Sequence, residues 1–261
     1  MSICYERVDD LKLIYTAGKA FGELHRGLAG FDASKLGETI PQFHDTPKRY
    51  RDFLDAKHQD LLARVNTCLP EIAIVESFKD EYGKIMDGIA NGEITYAVTH
   101  NDPKINNILF EKDGNGIKAV IDLDTIMPGS YLFDFGDALR SLFTGDNEDS
   151  EDLDKLVVNF EIFKAYAHGY LSEMLRVLTP REIELLPFSA FLLSIECGMR
   201  FLEDYLRGDV YFKTKYPTHN LVRARTQLTL AKNIFHHFDS LKKIVDQVCQ
   251  KLDQEERVET E

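Results

Sequence analysis

This 261-residue chain has few cysteines and no long apolar run, and each shortage excludes a class of protein. There are only four cysteines, they form no C-x-x-C pair, and they lie far apart at Cys4, Cys68, Cys197 and Cys249. We therefore expect neither a zinc site nor a disulfide framework. No apolar run approaches the roughly 20 residues that cross a bilayer, and the N-terminus lacks a basic-then-apolar signal pattern. These features predict a cytoplasmic protein with no membrane association.

Positive charge is also in short supply. The chain has 31 Lys and Arg against 44 Asp and Glu, a net charge of −13, which argues against nucleic acid as a partner. Most of that excess lies in two windows, residues 146–154 and 253–261. Such acidic runs are typical of solvated surface. We expect a surface loop at the first window and a disordered acidic tail over residues 251–261.

Helical periodicity dominates the rest of the chain, with no internal repeat or linker. The apolar spacing predicts helices over 8–28, 46–66, 76–91, 151–178, 180–207 and 220–251. Gly18 and Gly22, four residues apart, indicate close packing against a neighbouring helix. In the middle, 94–99 is β-rich, and 107–111 and 117–121 flank a Gly- and Asp-rich turn over 113–116, which predicts a hairpin. The fold class expected is α+β, mostly α-helical.

Polar residues crowd the ends of these predicted strands. The first segment is His100-Asn101-Asp102-Pro103-Lys104-Ile105-Asn106-Asn107, and the second is Ile121-Asp122-Leu123-Asp124. Phosphoryl transfer needs a carboxylate to orient a hydroxyl and take its proton, and oxygen ligands to hold magnesium against the phosphates. A hairpin returns the chain to its starting end, so Asn107 and Asp122 can face one ion with Asp102 nearby. The spacing therefore suits a phosphotransferase.

These segments resemble the aminoglycoside phosphotransferase and choline kinase superfamily, whose catalytic loop reads H-x-D-x-x-x-x-N and whose metal aspartate lies in I-D-x-D/E. The longer strings at 121–129, 131–140 and 209–221 are similar to bacterial N-acetylhexosamine 1-kinases. The resemblance implies a protein-kinase-like C-terminal lobe with a small β-hairpin at the catalytic loop. It also implies ATP and Mg²⁺ as cofactors, a sugar substrate, Asp102 as catalytic base, and Asn107 and Asp122 as magnesium ligands.

The resemblance adds weaker candidates. Asp124 is either a second metal ligand or a hydrogen-bond partner behind the first, and Lys104 contacts a nucleotide phosphate or is merely solvated. Arg200 binds the sugar or the transferred phosphoryl group, unless it is a surface ion pair. The remaining substrate-binding candidates are His219, Asn220 and Arg223. Asp134 begins an Asp-Phe-Gly triplet, but the helical pattern that follows it favours a helix cap over a metal ligand.

A complete kinase of this superfamily has a β-rich N-terminal lobe that covers the nucleotide phosphates. No Gly-rich strand–loop–strand precedes residue 100, so we expect residues 1–250 to form the C-terminal, catalytic lobe with the N-terminal lobe absent. Self-association through the face that this lobe would cover is then expected. Two alternatives stay open: an aminoglycoside-type phosphotransferase, and a non-catalytic lobe that binds a sugar or a partner chain.

Overall fold

Helices and a few short strands make up the computed structural model, which describes residues 2–112, 116–145 and 148–260. The helices are α1 (Leu11–Leu28), α2 (Thr46–Gln59), α3 (Leu69–Ser77), α4 (Lys84–Asn91), α5 (Tyr131–Thr144), α6 (Phe160–Met174), α7 (Pro180–Arg207), α8 (His219–His236) and α9 (Phe238–Thr260). The strands are β1 (Ser2–Ile3), β2 (Ala97–Thr99), β3 (Ile108–Glu111), β4 (Ile117–Val120) and β5 (Met127–Gly129). The predicted α+β, mostly helical fold class is confirmed.

Several predicted helices end earlier or begin later than the apolar pattern suggests. The helix predicted over 46–66 ends at Gln59, because Asp60 has a φ of 38° and leaves the right-handed region. The helix predicted over 151–178 begins only at Phe160, where the side chain of Asn159 caps two backbone N–H groups. The segment 220–251 is divided between α8 and α9 at His237. Local capping, rather than apolar periodicity, sets these boundaries.

The acidic tail differs from its expected disorder. Helix α9 continues through residues 251–260, so this part of the tail is helical. The Arg176 guanidinium at the end of α6 holds two of its acids, with Nη2 lying 2.6 Å from Asp253 Oδ1 and also contacting Glu256. The sequence of the tail alone does not show this opposite charge, because Arg176 lies just after α6, 77 residues before Asp253 in the chain.

Helix α7 is the centre of the fold and packs against α2, α5, α8 and α9. Within the described ranges it alone is long and apolar enough to cross a membrane, yet 89% of its apolar window is buried inside the molecule. It is therefore the core helix. Its N-terminus is closed by a capping box, in which Thr179 and Glu182 bind each other's backbone N–H groups.

Helices α1 and α6 pack backbone against backbone through glycine. A Cβ on Gly18 would lie 2.3 Å from the Tyr166 carbonyl oxygen, and one on Gly169 would lie 1.9 Å from that of Tyr15. A Cβ on Gly22 would likewise meet the Tyr170 carbonyl oxygen, at 2.9 Å. The close packing predicted from the two glycines of α1 is confirmed.

The strands form two small antiparallel sheets, one ordered β1-β3-β4 and the other pairing β2 with β5. The predicted hairpin is present as β3 and β4, with Ile108 opposite Val120. The turn residues 113–115 lie outside the described residues. Strand β1, which pairs Ser2 with Glu111, was not predicted, because two residues carry no alternation pattern. The hairpin sets Asn107 and Ile121 at the same end.

Candidate active site

Asp102 lies on the loop after β2 and is braced by its neighbours in sequence. The Nδ2 of Asn107 donates to the Asp102 carbonyl oxygen at 2.8 Å and to its Oδ2 at 3.1 Å. Lys104 Nζ lies 2.7 Å from Oδ1, and the Asp102 N–H donates to His100 Nδ1 at 3.3 Å. The Asp102 side chain is still 29% exposed. The carboxylate is thus oriented but remains accessible.

His100 joins this loop to the hairpin. Its Nε2 donates to the Ile121 carbonyl oxygen at 2.9 Å, while the Ile121 N–H donates to the Asn107 carbonyl oxygen at 2.8 Å. With the proton on Nε2, Nδ1 is free to accept the loop N–H. Asp122 follows directly with a φ of 61°, a left-handed conformation that is costly outside glycine and is common at functional sites. The hairpin therefore places Asp122 directly after the residue that pairs with Asn107, and Asp124 two residues further along, next to the loop that carries Asp102.

The donors in this group are all oxygens. The carboxylates of Asp122 and Asp124 are exposed, and the Asn107 side chain adds an amide oxygen. Such hard donors suit Mg²⁺, which keeps several positions of its octahedron for water and phosphate. The described residues contain no group of three His, Cys, Asp or Glu side chains that could hold a metal. The protein would therefore supply part of the coordination shell and leave the rest to the nucleotide.

One buried carboxylate, that of Asp134, holds the backbone of the loop after β2. The oxygens of Asp134 accept the backbone N–H groups of His100 and Asn101, each at 2.7 Å. The Nε2 of His25 donates to Asp134 Oδ2 at 2.7 Å, and the Tyr170 hydroxyl lies 2.8 Å from His25 Nδ1. The backbone before Asp102 is thereby fixed from α5, α1 and α6.

Asp134 is not the helix cap that the sequence suggests. The N-cap of α5 is Ser130, whose side chain accepts the Leu132 N–H at 3.2 Å, and Asp134 lies in the first turn. Its side chain is 1% exposed. Because its oxygens already accept three hydrogen bonds, it has no open face for a metal.

Asp102 opens into a cavity of about 420 Å³, which we call the acceptor cavity. Its walls come from the loop after β2, the chain around residues 43–44, and α5, α7 and α8. Its charged lining residues are Asp102, Lys104, Asp137, Arg140, Glu148, Glu196, Arg200 and Arg223, and its rings are Phe43, His44, Phe201 and Phe212. A polar wall with aromatic faces suits a small polar ligand.

Most of these charges are paired. Arg140 Nε lies 2.6 Å from Asp137 Oδ1, and Arg223 Nη2 lies 2.7 Å from Glu148 Oε2. Burial by itself raises the pKa of the Asp137 carboxyl, but the Arg140 guanidinium overrides it, so this pKa lies below its usual value. Glu148, which belongs to the acidic window 146–154, thus lines the cavity rather than being simply solvated.

Arg200 is the exception among the charged residues that line the cavity, because no carboxylate of the described residues lies within ion-pair distance of it. Its guanidinium carbon lies 5.2 Å from the Phe43 ring centre and 5.7 Å from that of Phe212. These faces attract a cation and leave its N–H groups unpaired by acids. Arg200 therefore does not form the surface ion pair that the sequence left open as an alternative.

Two of the predicted substrate-binding residues do not line the acceptor cavity. Asn220 is fully buried, and its Nδ2 donates to Asp204 and Asp209 at 2.8 and 3.0 Å. His219 Nδ1 accepts the Lys215 N–H at 3.2 Å. Both side chains hold together the segment between α7 and α8. Of the predicted set, Asp102, Lys104, Arg200 and Arg223 share the cavity.

Sequence reasoning missed the inner wall of the cavity. Arg140, Asp137 and Glu196 are buried within otherwise apolar helices, and His44 lies just before α2. A charged residue on the apolar face of a predicted helix is a usable signal, since such groups are rarely buried without a partner. The pairing itself joins elements that are distant in sequence and cannot be read from spacing.

Comparisons with known proteins agree with this fold. A sequence model described as the phosphotransferase enzyme family (APH) matches residues 6–171. An ethanolamine kinase from Plasmodium vivax aligns over 88% of this chain and 62% of its own, with a TM-score of 0.53 and 14% identity. A choline kinase from Cryptosporidium parvum aligns over 97% of this chain and 71% of its own, with a TM-score of 0.52 and 14% identity. This chain thus spans about 62% of the length of the ethanolamine kinase, and the expected kinase-like fold is confirmed.

Proposed function

The chain belongs to the phosphotransferase enzyme family, and from that premise we propose that it is the catalytic lobe of a cytoplasmic sugar kinase, spanning residues 1–250. It would transfer the terminal phosphoryl group of Mg-ATP to a sugar hydroxyl, the anomeric hydroxyl of an N-acetylhexosamine. The observation that carries this proposal is an accessible, oriented carboxylate, Asp102, at the mouth of a polar cavity.

The chemistry follows from the positions of the side chains. Asp102 orients the acceptor hydroxyl and takes its proton as the new P–O bond forms and the bond to the leaving nucleotide breaks. Asn107 and Asp122 would hold magnesium, with Asp124 as a further ligand or a brace. When bound there, the metal would supply charge neutralisation for the phosphates. Lys104, now on Asp102 Oδ1, can exchange that carboxylate for a phosphate oxygen.

The charge of the acceptor cavity supports a neutral, polyhydroxylated acceptor. Four cationic and four anionic side chains line it, so the formal charges of its lining balance. A site for choline, ethanolamine or a polycationic aminoglycoside needs unpaired negative charge. The two similar structures are described as choline and ethanolamine kinases, so this electrostatic argument separates the sugar from those acceptors and from the aminoglycoside alternative.

The remaining alternative is a lobe that binds a sugar or a partner chain without transferring phosphate. The Asp102–Asn107 hydrogen bonds and the nearby Asp122 favour catalysis, since binding alone requires no such arrangement. Arg200 and Arg223 are the proposed sugar-binding residues in either case. His219 and Asn220, as supports of the segment that follows α7, would act on the acceptor only through that segment.

The test is an acceptor screen with ATP and magnesium, using N-acetylglucosamine, N-acetylgalactosamine, kanamycin and choline. We expect product only from the sugars, with loss of the reducing end because the anomeric oxygen is modified. Asp102→Asn should lower the rate at least about 100-fold, whereas Asp246→Asn, an exposed acid on α9, should not. Phosphorylation of kanamycin or choline, or an undiminished Asp102→Asn rate, would overturn the proposal.

A further inference from the structure

A second, smaller cavity lies behind the acceptor cavity. It measures about 250 Å³ and is bounded by residues 38–45, α4 and the segment 127–129. Phe43, His44 and Asn101 line both cavities. These three residues lie between the two spaces, so a ligand that filled the acceptor cavity would meet them.

His44 is held between the two cavities by a buried acid. Its Nδ1 lies 2.8 Å from Glu196 Oε1, and the Thr46 hydroxyl donates to Glu196 Oε2 at 2.5 Å. Burial raises the pKa of the Glu196 carboxyl, but His44, Thr46 and Arg200 together bring it below its usual value. The ionised carboxylate accepts hydrogen bonds on both oxygens, so the proton of His44 is on Nδ1.

The other ring nitrogen has no such partner. His44 Nε2 is buried, and within the described ranges nothing hydrogen-bonds to it. The ring itself is fixed, with its centre 4.4 Å from the Phe43 ring and 5.2 Å from the Phe133 ring. A buried polar atom without a partner costs free energy that a bound ligand can recover, and only 8% of this residue is exposed.

We propose that His44 is an acceptor-binding residue, whose Nε2 hydrogen-bonds a ring hydroxyl of the sugar other than the one phosphorylated. A hydroxyl both donates and accepts, so it matches Nε2 in either protonation state. A quaternary ammonium group does neither. Glu196 is a positioning residue, since it touches only the ring. This inference rests on the proposed function and adds to it a determinant of acceptor specificity.

The experiment pairs side-chain deletion with hydroxyl deletion. Binding of N-acetylglucosamine and its 3-, 4- and 6-deoxy analogues to the full chain is measured by titration calorimetry. We expect one analogue to bind about tenfold more weakly than the parent sugar, the size of one hydrogen bond. His44→Phe should weaken binding of the parent sugar by the same factor. It should not weaken binding of that deoxy analogue any further. Independent, multiplicative losses would overturn the assignment.

Two controls separate the outcomes. His58→Phe makes the same change at an exposed position of α2 and should bind every sugar normally. His44→Phe could unfold the protein because Glu196 loses its partner. In that case the double variant, His44→Phe with Glu196→Met, replaces both groups by apolar ones and allows the same titrations. If sugars bind the wild type but the losses from hydroxyl deletion and from His44→Phe are independent, only the proposed role of His44 is overturned. No sugar binding to the wild type overturns the proposed function as well.

Discussion

Asp134 joins three parts of the chain through one carboxylate, which accepts the N–H groups of His100 and Asn101 and that of His25 Nε2. In Asp134→Asn the amide cannot accept all three. We expect unfolding free energy to fall by about 3 kcal/mol, because hydrogen bonds to a buried charge are strong and their loss leaves donors unpaired. Urea denaturation measures the change.

The matched control is Asp246→Asn, which removes an exposed acid and should change unfolding free energy by less than about 0.5 kcal/mol. A loss below about 1 kcal/mol in Asp134→Asn would show that the loop is held by other contacts. Such a result would transfer the anchoring role to His100 and its bond to Ile121.

The buried acids of the acceptor cavity make stability depend on pH. Glu196 and Asp137 have pKa values below the usual 4.5 and 3.8, because burial, which raises them, is outweighed by His44 and Arg140 respectively. A lowered folded-state pKa stabilises the protein above the unfolded-state pKa, and this contribution is lost as pH falls through the folded-state value. We expect unfolding free energy to drop on acidification below about pH 4.5, and less steeply in Glu196→Gln. Equal slopes in denaturation at pH 7, 4.5 and 3.5 would contradict this.

At the scale of elements, the contact between α1 and α6 depends on glycine. In Gly18→Ala the new methyl would meet the Tyr166 carbonyl oxygen at 2.3 Å, so the helices must separate, and we expect a loss of about 2 kcal/mol or more. Gly27→Ala, on the same helix with nothing within 4 Å, should gain about 0.5–1 kcal/mol from helix propensity. Thermal or urea unfolding of the two variants measures both changes in stability. Equal effects of Gly18→Ala and Gly27→Ala would mean that α1 and α6 are not in close contact at Gly18.

At the scale of the whole molecule, turnover should be slow. Residues 2–99, all described, contain no Gly-rich strand–loop–strand and no lysine on a strand paired to a helix glutamate. Phosphoryl transfer relies on such groups to position and neutralise the phosphates. We expect this chain to bind sugar weakly, with a Kd sensitive to Asp102→Asn, and to turn over well below ~1 s⁻¹, a low rate for kinases. A coupled assay measures the rate, and ordinary kinase turnover would mean that Lys104 or residues 1–8 clamp the phosphate.

Self-association stays a prediction at the same scale. Strand β1 is an edge of its sheet, and Leu123, beside the proposed metal site, is 52% exposed. Exposed edges and apolar side chains favour pairing with another chain. Analytical ultracentrifugation should show a concentration-dependent dimer, and a single monomer species at high concentration would count against it.

Local sequence determined the helices that have strong caps, such as α7 behind Thr179, and the hairpin of β3 and β4. It also predicts which residues carry the proposed chemistry. Asp102 and Asn107 are five residues apart on one short loop, so their hydrogen bonds were predictable. The hairpin is also a short-range structure, so the pairing of Asn107 with Ile121, the residue before Asp122, was predictable. The Gly18 contact was predictable too, because small residues at helical spacing report close packing.

Tertiary structure alone decided the acceptor cavity and its anchors. Arg140 pairs with Asp137 on one helix, but Glu196 meets His44 across 152 positions, and Asp134 reaches His100 across 34. Helix spacing indicates which side of a helix a residue occupies, not which element will face it. The partners of a buried charge are chosen by the packing of α1, α2, α5 and α7, and that packing is set by the whole core.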